Sequence, residues 1–587
     1  PEGKDNGTPE IKLLGKCSPP PHDRFVGLTG RIECELEAKT PIFISDSEFV
    51  EQNGNEHRSY RFFRLINDKG VEDYAIPSTS LRGMLRSVFE AATNSCFSVF
   101  EGGLLGKRER PENYDRTLPL TAGLILKIPM SKGSPGVVKK MMYYKLPHKK
   151  FPHYKYKHKI NAKKVLVKIS DNEIEDVKEY NMNDNKSDGY VIGYLKTSDK
   201  GLPGRKRNEY VFVEDLSSEN FELSYETYFN YIIANRNNKN PHTKVPKPAD
   251  TIWFRAQGKK IKEFGYAQIY RKPFKKSIGD LLQAHLHLHP CTDYNKLCPA
   301  CRVFGWVHPD PPKNDLSVKV AYAGRVKISH AQIIENSGTL TPFPLAILST
   351  PKPTTTFFYL LKNANPDFNV TYDTLEAKLR GRKFYRHQNE ANKQEYVRAG
   401  RIEDHQNRTI RDALKPGAKF KFTIEFENLA PVELGALLWA IEMEDGMFHK
   451  LGMGKPLGFG SVKISIKKLE ALHIKERYSS FKSNGWKVIN KDTYTKWINL
   501  FKGTMKNRYG KDFDSLENIK DLRAILSSPR LPVHYPRTSK EPQPDGKNFE
   551  WFLENKSRGK MPLKLADEDT EGFSLKFEHK GVKKRRH

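Results

Sequence analysis

Apolar residues recur along this chain with two periods. From Gly30, the residues Ile32, Cys34 and Leu36 alternate with Arg31, Glu33 and Glu35, the mark of a half-buried strand that Pro41-Ile-Phe-Ile44 continues or leaves. Over Ser78–Thr93 the period becomes helical. Leu81, Met84, Leu85, Val88 and Phe89 form one stripe, and Ser78, Thr79 or Ser80 is placed to cap the helix after Pro77. Between them, residues 45–67 are polar and irregular and predict a long loop. Strand character resumes at Ala323-Gly-Arg-Val-Lys-Ile328. Lys419–Glu427 then alternates Phe420, Phe422, Ile424 and Phe426. Pro431 opens a helix carrying Leu434, Leu437, Leu438 and Ile441, and Ser461–Lys467 reads as a last strand. This order predicts an α+β fold, a ferredoxin-like or RRM-like βαββαβ core with long insertions and a zinc knuckle.

The predicted organisation is a flexible arm (1–27), a first half-core with a long loop (28–105), a basic insertion domain (106–280), a zinc knuckle (281–310), a second half-core ending in a glycine-rich loop and strand (311–468), and a C-terminal extension (469–587). Residues 116–170 contain no Asp or Glu, and within them 141–160 interleaves six lysines and three histidines with Tyr143, Tyr144, Phe151, Tyr154 and Tyr156.

The 100 Lys and Arg against 70 Asp and Glu leave a net charge of +30, which calls for a polyanionic partner. No apolar run approaches the roughly 20 residues of a spanning helix, and the first residues are polar with no signal-like core. Nucleic acid is therefore expected rather than a membrane, in a cytoplasmic protein. Six cysteines in 587 residues exclude a disulfide scaffold.

Three of those cysteines, Cys291, Cys298 and Cys301, crowd into eleven residues, with His289 or His308 available as a fourth ligand. His285, His287 and His289 alternate as on one strand face. Three thiolates and an imidazole make a closed, structural zinc site. The first helix offers Ser80, Arg82, Gly83 and Arg86 toward RNA. The two arginines, four apart, project together, and Gly83 lets a partner near the backbone. Arg325 joins this set from the later strand. The loop Leu451-Gly-Met-Gly-Lys-Pro-Leu-Gly-Phe-Gly460 follows a helix and precedes a strand, so it is neither a dinucleotide fingerprint nor a P-loop. Its Gly452, Gly454, Lys455, Gly458 and Gly460 can admit a phosphate or a base, or can simply close a tight connection. Lys149, Lys155 and Lys157 can contact phosphates beside aromatic stacking faces, or can belong to an ordinary basic surface.

Taken together, Ile76-Pro-Ser-Thr-Ser-Leu-Arg-Gly-Met-Leu-Arg86, Cys298-Pro-Ala-Cys-Arg-Val-Phe-Gly305 and the glycine loop resemble the RAMP superfamily of CRISPR-associated proteins, nearest to backbone-type subunits of type III (III-D-like) effector complexes. The resemblance covers about 28–105 and 280–468. It implies a core gripping CRISPR RNA, target RNA as a second ligand, other RAMP-type subunits and a large signalling subunit as partners, and a thumb-like loop that in several members holds a cleaving aspartate. Asp46 sits where that loop begins, with Glu48, Glu51 and Asp73 as competitors. Cleavage would align a 2′-hydroxyl with its own phosphate while the carboxylate takes a proton or holds magnesium. Two alternatives stand beside this endoribonuclease reading: a non-catalytic subunit capping one end of the guide, and a guide-precursor-processing endoribonuclease using a histidine, for which His57 is the one candidate in the first loop.

Overall fold

The computed structural model describes residues 9–569 apart from 53–56, 101, 109–116, 155–160, 181–188, 197–206, 216, 218, 236–244, 313–314, 316, 350–351, 404, 529–532 and 538–549. The chain divides into two compact units. One comprises 1–101, 282–371 and 376–587; the other comprises 102–281 and 372–375.

The first unit is built on six elements: β1 (Leu28–Ala38), α1 (Ser78–Ala92), β2 (Ala331–Glu335), β3 (Lys419–Leu429), α2 (Pro431–Glu442) and β4 (Ser461–Leu472). Their strands lie in the order β4–β1–β3–β2, every neighbour antiparallel, which is the order of a βαββαβ sheet. The alternating positions of β1 and β3 fall as the period requires: Ile32, Cys34, Leu36, Phe420, Phe422, Ile424 and Phe426 are buried. So is the α1 stripe of Leu81, Met84, Leu85, Val88 and Phe89, each burial being worth roughly 1.5–3 kcal/mol. The α1 start differs from expectation, because no side chain caps it. Pro77 occupies the N-cap, and the Ser78 N–H is bonded by His330 Nδ1 at 3.2 Å, one residue ahead of β2. An acceptor from a distant strand end does what a Ser or Thr oxygen would do locally.

α2 is buried nearly all round. One side faces the sheet and another meets the helix Lys491–Tyr509. The approach is so close that a Cβ on Gly435 would collide with the Trp497 carbonyl. The C-terminal segment thus completes the core.

The stretch 45–67, predicted as a loop, holds strands instead. The strand Ser45–Gln52 pairs with Arg58–Phe62, which runs parallel to Arg408–Ile410, in a four-stranded sheet. This ribbon is polar in sequence because much of its support, such as Phe420 stacked on the ribbon's own Phe62, is supplied from elsewhere in the chain.

The second unit is a nine-stranded sheet with the helix Tyr225–Asn235 beside it. One stretch of its core gathers Leu146, Val165, Val167, Leu195 and Val211. Among the described residues, no helix is long and apolar enough to cross a membrane.

Candidate metal centre and nucleic-acid interface

Cys298 is the N-cap of the short helix Pro299–Phe304, whose first position is a proline with no N–H to leave unpaired. Cys301 follows within that helix, and Cys291 lies in the loop before it. The fourth thiol comes from Cys96, which stands 3.6 Å from Cys301, 3.8 Å from Cys291 and 3.5 Å from Cys298, sulfur to sulfur. A zinc ion with bonds of about 2.3 Å in a tetrahedron sets its sulfurs about 3.8 Å apart, so these four buried thiols fit that metal. Four protein ligands leave no open coordination position, so zinc here would tie three segments together and supply no reaction chemistry. The thiols share hydrogen bonds unevenly: against burial, which raises it, Cys298 is held well below its ordinary value by bonds from Cys291, Cys301 and Cys96, while bonds within the same cluster push Cys96 and Cys301 up.

The fourth corner is therefore not a histidine. His289 stands edge-on to Phe100, and His308 lies against Trp306 and accepts the Asp310 N–H at 3.1 Å. The segment Gln283–Leu288 is a 3-10 helix, not the strand that would have lined up three histidines. Cys96 arrives because the chain reverses just past α1, where Asn94 has φ 50° and the Ser95 N–H reaches back to the Glu90 carbonyl at 2.9 Å. The Ser95 hydroxyl accepts the Ala300 N–H at 3.2 Å, and the Phe97 N–H meets the Leu288 carbonyl at 2.9 Å.

Arg382 locks this turn. It donates to Glu90 at 2.9 Å and to the carbonyls of Ser95 and Cys96, and its guanidinium lies 4.5 Å from the Phe97 ring centre. Glu90 also receives Arg86 at 2.8 Å and Ser98 at 2.9 Å. In the sequence Arg382 is only one charge in a basic run, so its role depends on a partner 292 residues away.

The helix arginines face inward. Arg82 donates to the Val326 carbonyl at 2.6 Å and to the Phe304 carbonyl, and Arg86 adds the Gly305 carbonyl at 3.2 Å to its Glu90 pair. They clamp α1 to the cysteine helix instead of projecting together. Arg325 is likewise structural. It is buried, donates to Tyr322 Oη at 2.6 Å and to the Pro20 and Pro21 carbonyls, and pairs with Glu427 at 3.6 Å. Ser80 is half-buried on α1, while Gly83 is exposed and a Cβ there would meet nothing within 4 Å.

The glycine loop folds on itself. Gly452, Gly454, Gly458 and Gly460 all have positive φ, and at Gly460 (φ 71°) a Cβ would collide with the Leu451 carbonyl. Its amides largely serve the fold: Gly460 donates to Pro41 at 2.8 Å, Met453 to Phe43 at 2.9 Å and Leu451 to Gly460 at 2.8 Å. What the loop does present is Lys455, 5.8 Å from the Tyr385 ring centre, with Lys383 at 5.0 Å from the same ring. An aromatic ring with two ammonium groups near it can stack a base while the lysines meet its phosphates. Tyr385 and Lys383 were missed in the sequence because neither sits in a motif.

Asp46 lies on the ribbon strand and is only 4% exposed. Arg61 holds its carboxylate at 3.2 Å and also pairs with Glu72 at 2.8 Å. Among the described residues the four cysteines form the one group with three or more metal-capable ligand atoms together, so no such group includes Asp46 as a magnesium site. His57 is buried beside Thr409 at 2.9 Å. In the second unit Lys149 is exposed in a turn; Lys155 and Lys157 lie outside the described residues.

No curated protein matches the chain. Among solved structures, Csc2 of Thermofilum pendens is similar at 14% identity and a TM-score of 0.17, over 38% of this chain and 57% of Csc2, a little more than half of that protein's length. A likeness at that level carries no conclusion about fold or activity. The sequence profile of the RAMP superfamily, in contrast, matches residues 35–463, a span that takes in α1, the cysteine centre and the glycine loop. The chain belongs to the RAMP superfamily.

Proposed function

We propose that the chain is an RNA-binding subunit of a CRISPR effector complex of the type III kind, holding guide RNA along its first unit and meeting target RNA and neighbouring RAMP-type subunits. The observation that carries this reading is the grouping of Lys383 and Tyr385 with Lys455 of the glycine loop, in a RAMP chain with net charge +30. The four thiols hold structural zinc, which fixes the end of α1 beside the loop–helix segment from 291 to 304. A large signalling subunit and a cytoplasmic site of action belong to the same reading.

The test is to recover the chain from its native host under mild conditions and to sequence its RNA. Guide-length RNA of discrete size, with RAMP-type partners, is the expected result. A chain that carries neither sinks the reading.

Whether this subunit also cuts is the finer question. The endoribonuclease variant assigns Asp46 the task of promoting attack by the 2′-hydroxyl. Its burial and its bond to Arg61 favour the second variant, a guide-binding or guide-capping subunit in which Asp46 braces the ribbon. Asp46→Ala separates the two: lost cleavage with retained RNA binding supports catalysis, and unchanged cleavage supports bracing. The buried His57 gives a processing nuclease little to work with.

A further inference from the structure

Resting on that RNA-binding reading, a second site emerges in the other unit. In its sheet the strands Asn161–Ser170, Tyr190–Lys196, Asn208–Glu214 and Gly136–Pro147 are consecutive neighbours. Their register places Lys164 opposite Tyr194, Tyr194 opposite Phe212 and Phe212 opposite Tyr143, so these four form one rung on one face. Three strand intervals make that rung ~14 Å wide. Tyr210 and Lys145, opposite each other, lie on the same face two positions along.

The two faces differ in kind. The reverse face here buries aliphatic side chains, Val165, Val167, Val211 and Leu146 among them. The rung face seats Phe212 and Trp253, both essentially inaccessible, beneath a layer of tyrosines. Tyr143 stands edge to face on Trp253 at 4.8 Å and on Tyr210 at 6.2 Å, and Tyr210 meets Trp253 at 5.3 Å. These contacts fix the ring planes, so little freedom remains to be lost when a ligand stacks on them. Tyr143 is nevertheless 44% exposed, and Tyr194 and Tyr210 are half-buried.

The charges suit a polyanion. The acids on this face are already engaged: Glu214 with Lys139 at 3.1 Å, and Asp176 with the Tyr190 hydroxyl at 2.5 Å. Lys145 and Lys164 have no ion pair among the described residues; Lys164 lies 5.6 Å from the Tyr180 ring centre.

We infer that this sheet face is a stacking platform for unpaired RNA bases, with Tyr143, Tyr194 and Tyr210 taking bases and Lys145 and Lys164 the adjoining phosphates. A flat run of aromatics flanked by lysines reads bases by their π-faces, so it takes single strands of any sequence and rejects a duplex whose bases are already stacked.

The test uses the full chain, a labelled oligouridylate and an RNA duplex, with anisotropy read over a range of salt concentrations. Replacing Tyr143, Tyr194 and Tyr210 with Ala together is expected to weaken oligouridylate binding by roughly 10-fold or more per ring engaged, with the salt slope and duplex binding unchanged. Tyr143→Phe keeps the affinity. Lys145→Ala with Lys164→Ala flattens the salt slope by about 0.7 per lysine. Since the triple variant disturbs packing on Trp253, which Tyr143 and Tyr210 touch, Tyr194→Ala alone and photo-crosslinking to a 5-bromouridylate provide a second reading, with adducts expected at these tyrosines. A wild-type chain that binds no RNA overturns both this site and the reading beneath it. A wild type that binds, with tyrosine variants equally tight and crosslinks confined to Tyr385, overturns this site alone. So does a triple variant that keeps RNA but loses a partner subunit, which makes the face a protein contact.

Discussion

Arg302 Nε lies 2.9 Å from the Glu433 carboxylate, and both side chains are buried. The pair joins the cysteine helix to the first turn of α2, where Glu433 also accepts the Ala430 N–H at 3.3 Å. Arg302 donates in addition to the carbonyls of Leu13, Gly15 and Leu297, so one guanidinium also ties in the N-terminal segment and the residue just before its own helix. Arg302→Met leaves Glu433 charged and unpaired in the core. It should lower stability by roughly 3–5 kcal/mol in urea unfolding, whereas breaking an exposed pair such as Lys506–Asp512 should change stability little.

The metal centre makes a sharper demand. Cys96→Ser should abolish stoichiometric zinc and lower the midpoint of thermal unfolding, while His289→Ala and His308→Ala should leave zinc content at one per chain. Metal analysis of the purified variants decides it. A chelator should unfold the cysteine segment in the wild type and do little further to Cys96→Ser.

At the glycine loop the prediction separates fold from binding. Gly460→Ala meets both a left-handed backbone and the Leu451 carbonyl, so it should cost on the order of 2 kcal/mol or more of stability. Lys383→Ala with Lys455→Ala should leave stability within about 0.5 kcal/mol and instead weaken RNA binding, reducing its single-strand salt slope by about 0.7 per lysine. An unchanged slope would mean that Tyr385 and its lysines are plain surface.

Two buried histidines give stability a pH dependence of known sign. Burial, reinforced by Lys450, lowers His387 to about 3, and burial lowers His449 to about 4. The unfolded chain protonates both near 6.5, so between those values it binds protons that the folded chain refuses. Stability from these two groups is present above about pH 6.5 and falls as the pH drops, by about 1.4 kcal/mol per pH unit per histidine, until His449 and then His387 accept a proton in the fold. Urea titrations at pH 7 and pH 5 should differ in this direction, and His449→Gln should shrink the difference.

The sequence made some of this plain and hid the rest for physical reasons. β1, α1, β3 and α2 each carry a strong apolar period, and their burial follows from it. The ribbon at 45–62 has no such period because it is paired with Arg408–Ile410 and supported by residues hundreds of positions away. Three of the four metal thiols stand close together in sequence, but Cys96 is 195 residues from the nearest of them. One available signal was its rarity as one of six cysteines. Arginines mislead most. Charge and spacing show that Arg82, Arg86 and Arg325 are basic, and nothing local shows that carbonyls at Phe304, Val326, Gly305 and Pro20 await them.

The central place of β1 in its sheet has a consequence for synthesis. Both of its neighbours, β3 and β4, begin some 380 residues or more after β1 ends. At a translation rate of about 5–20 residues per second, β1 leaves the ribosome on the order of 20–80 s before either partner exists. Throughout that interval Ile32, Cys34 and Leu36 lie on a strand with two open edges. The insertion that separates the two halves of the sheet therefore prolongs the window in which the nascent chain can pair wrongly, and the founding strand of the domain has to wait longest for its place in the fold.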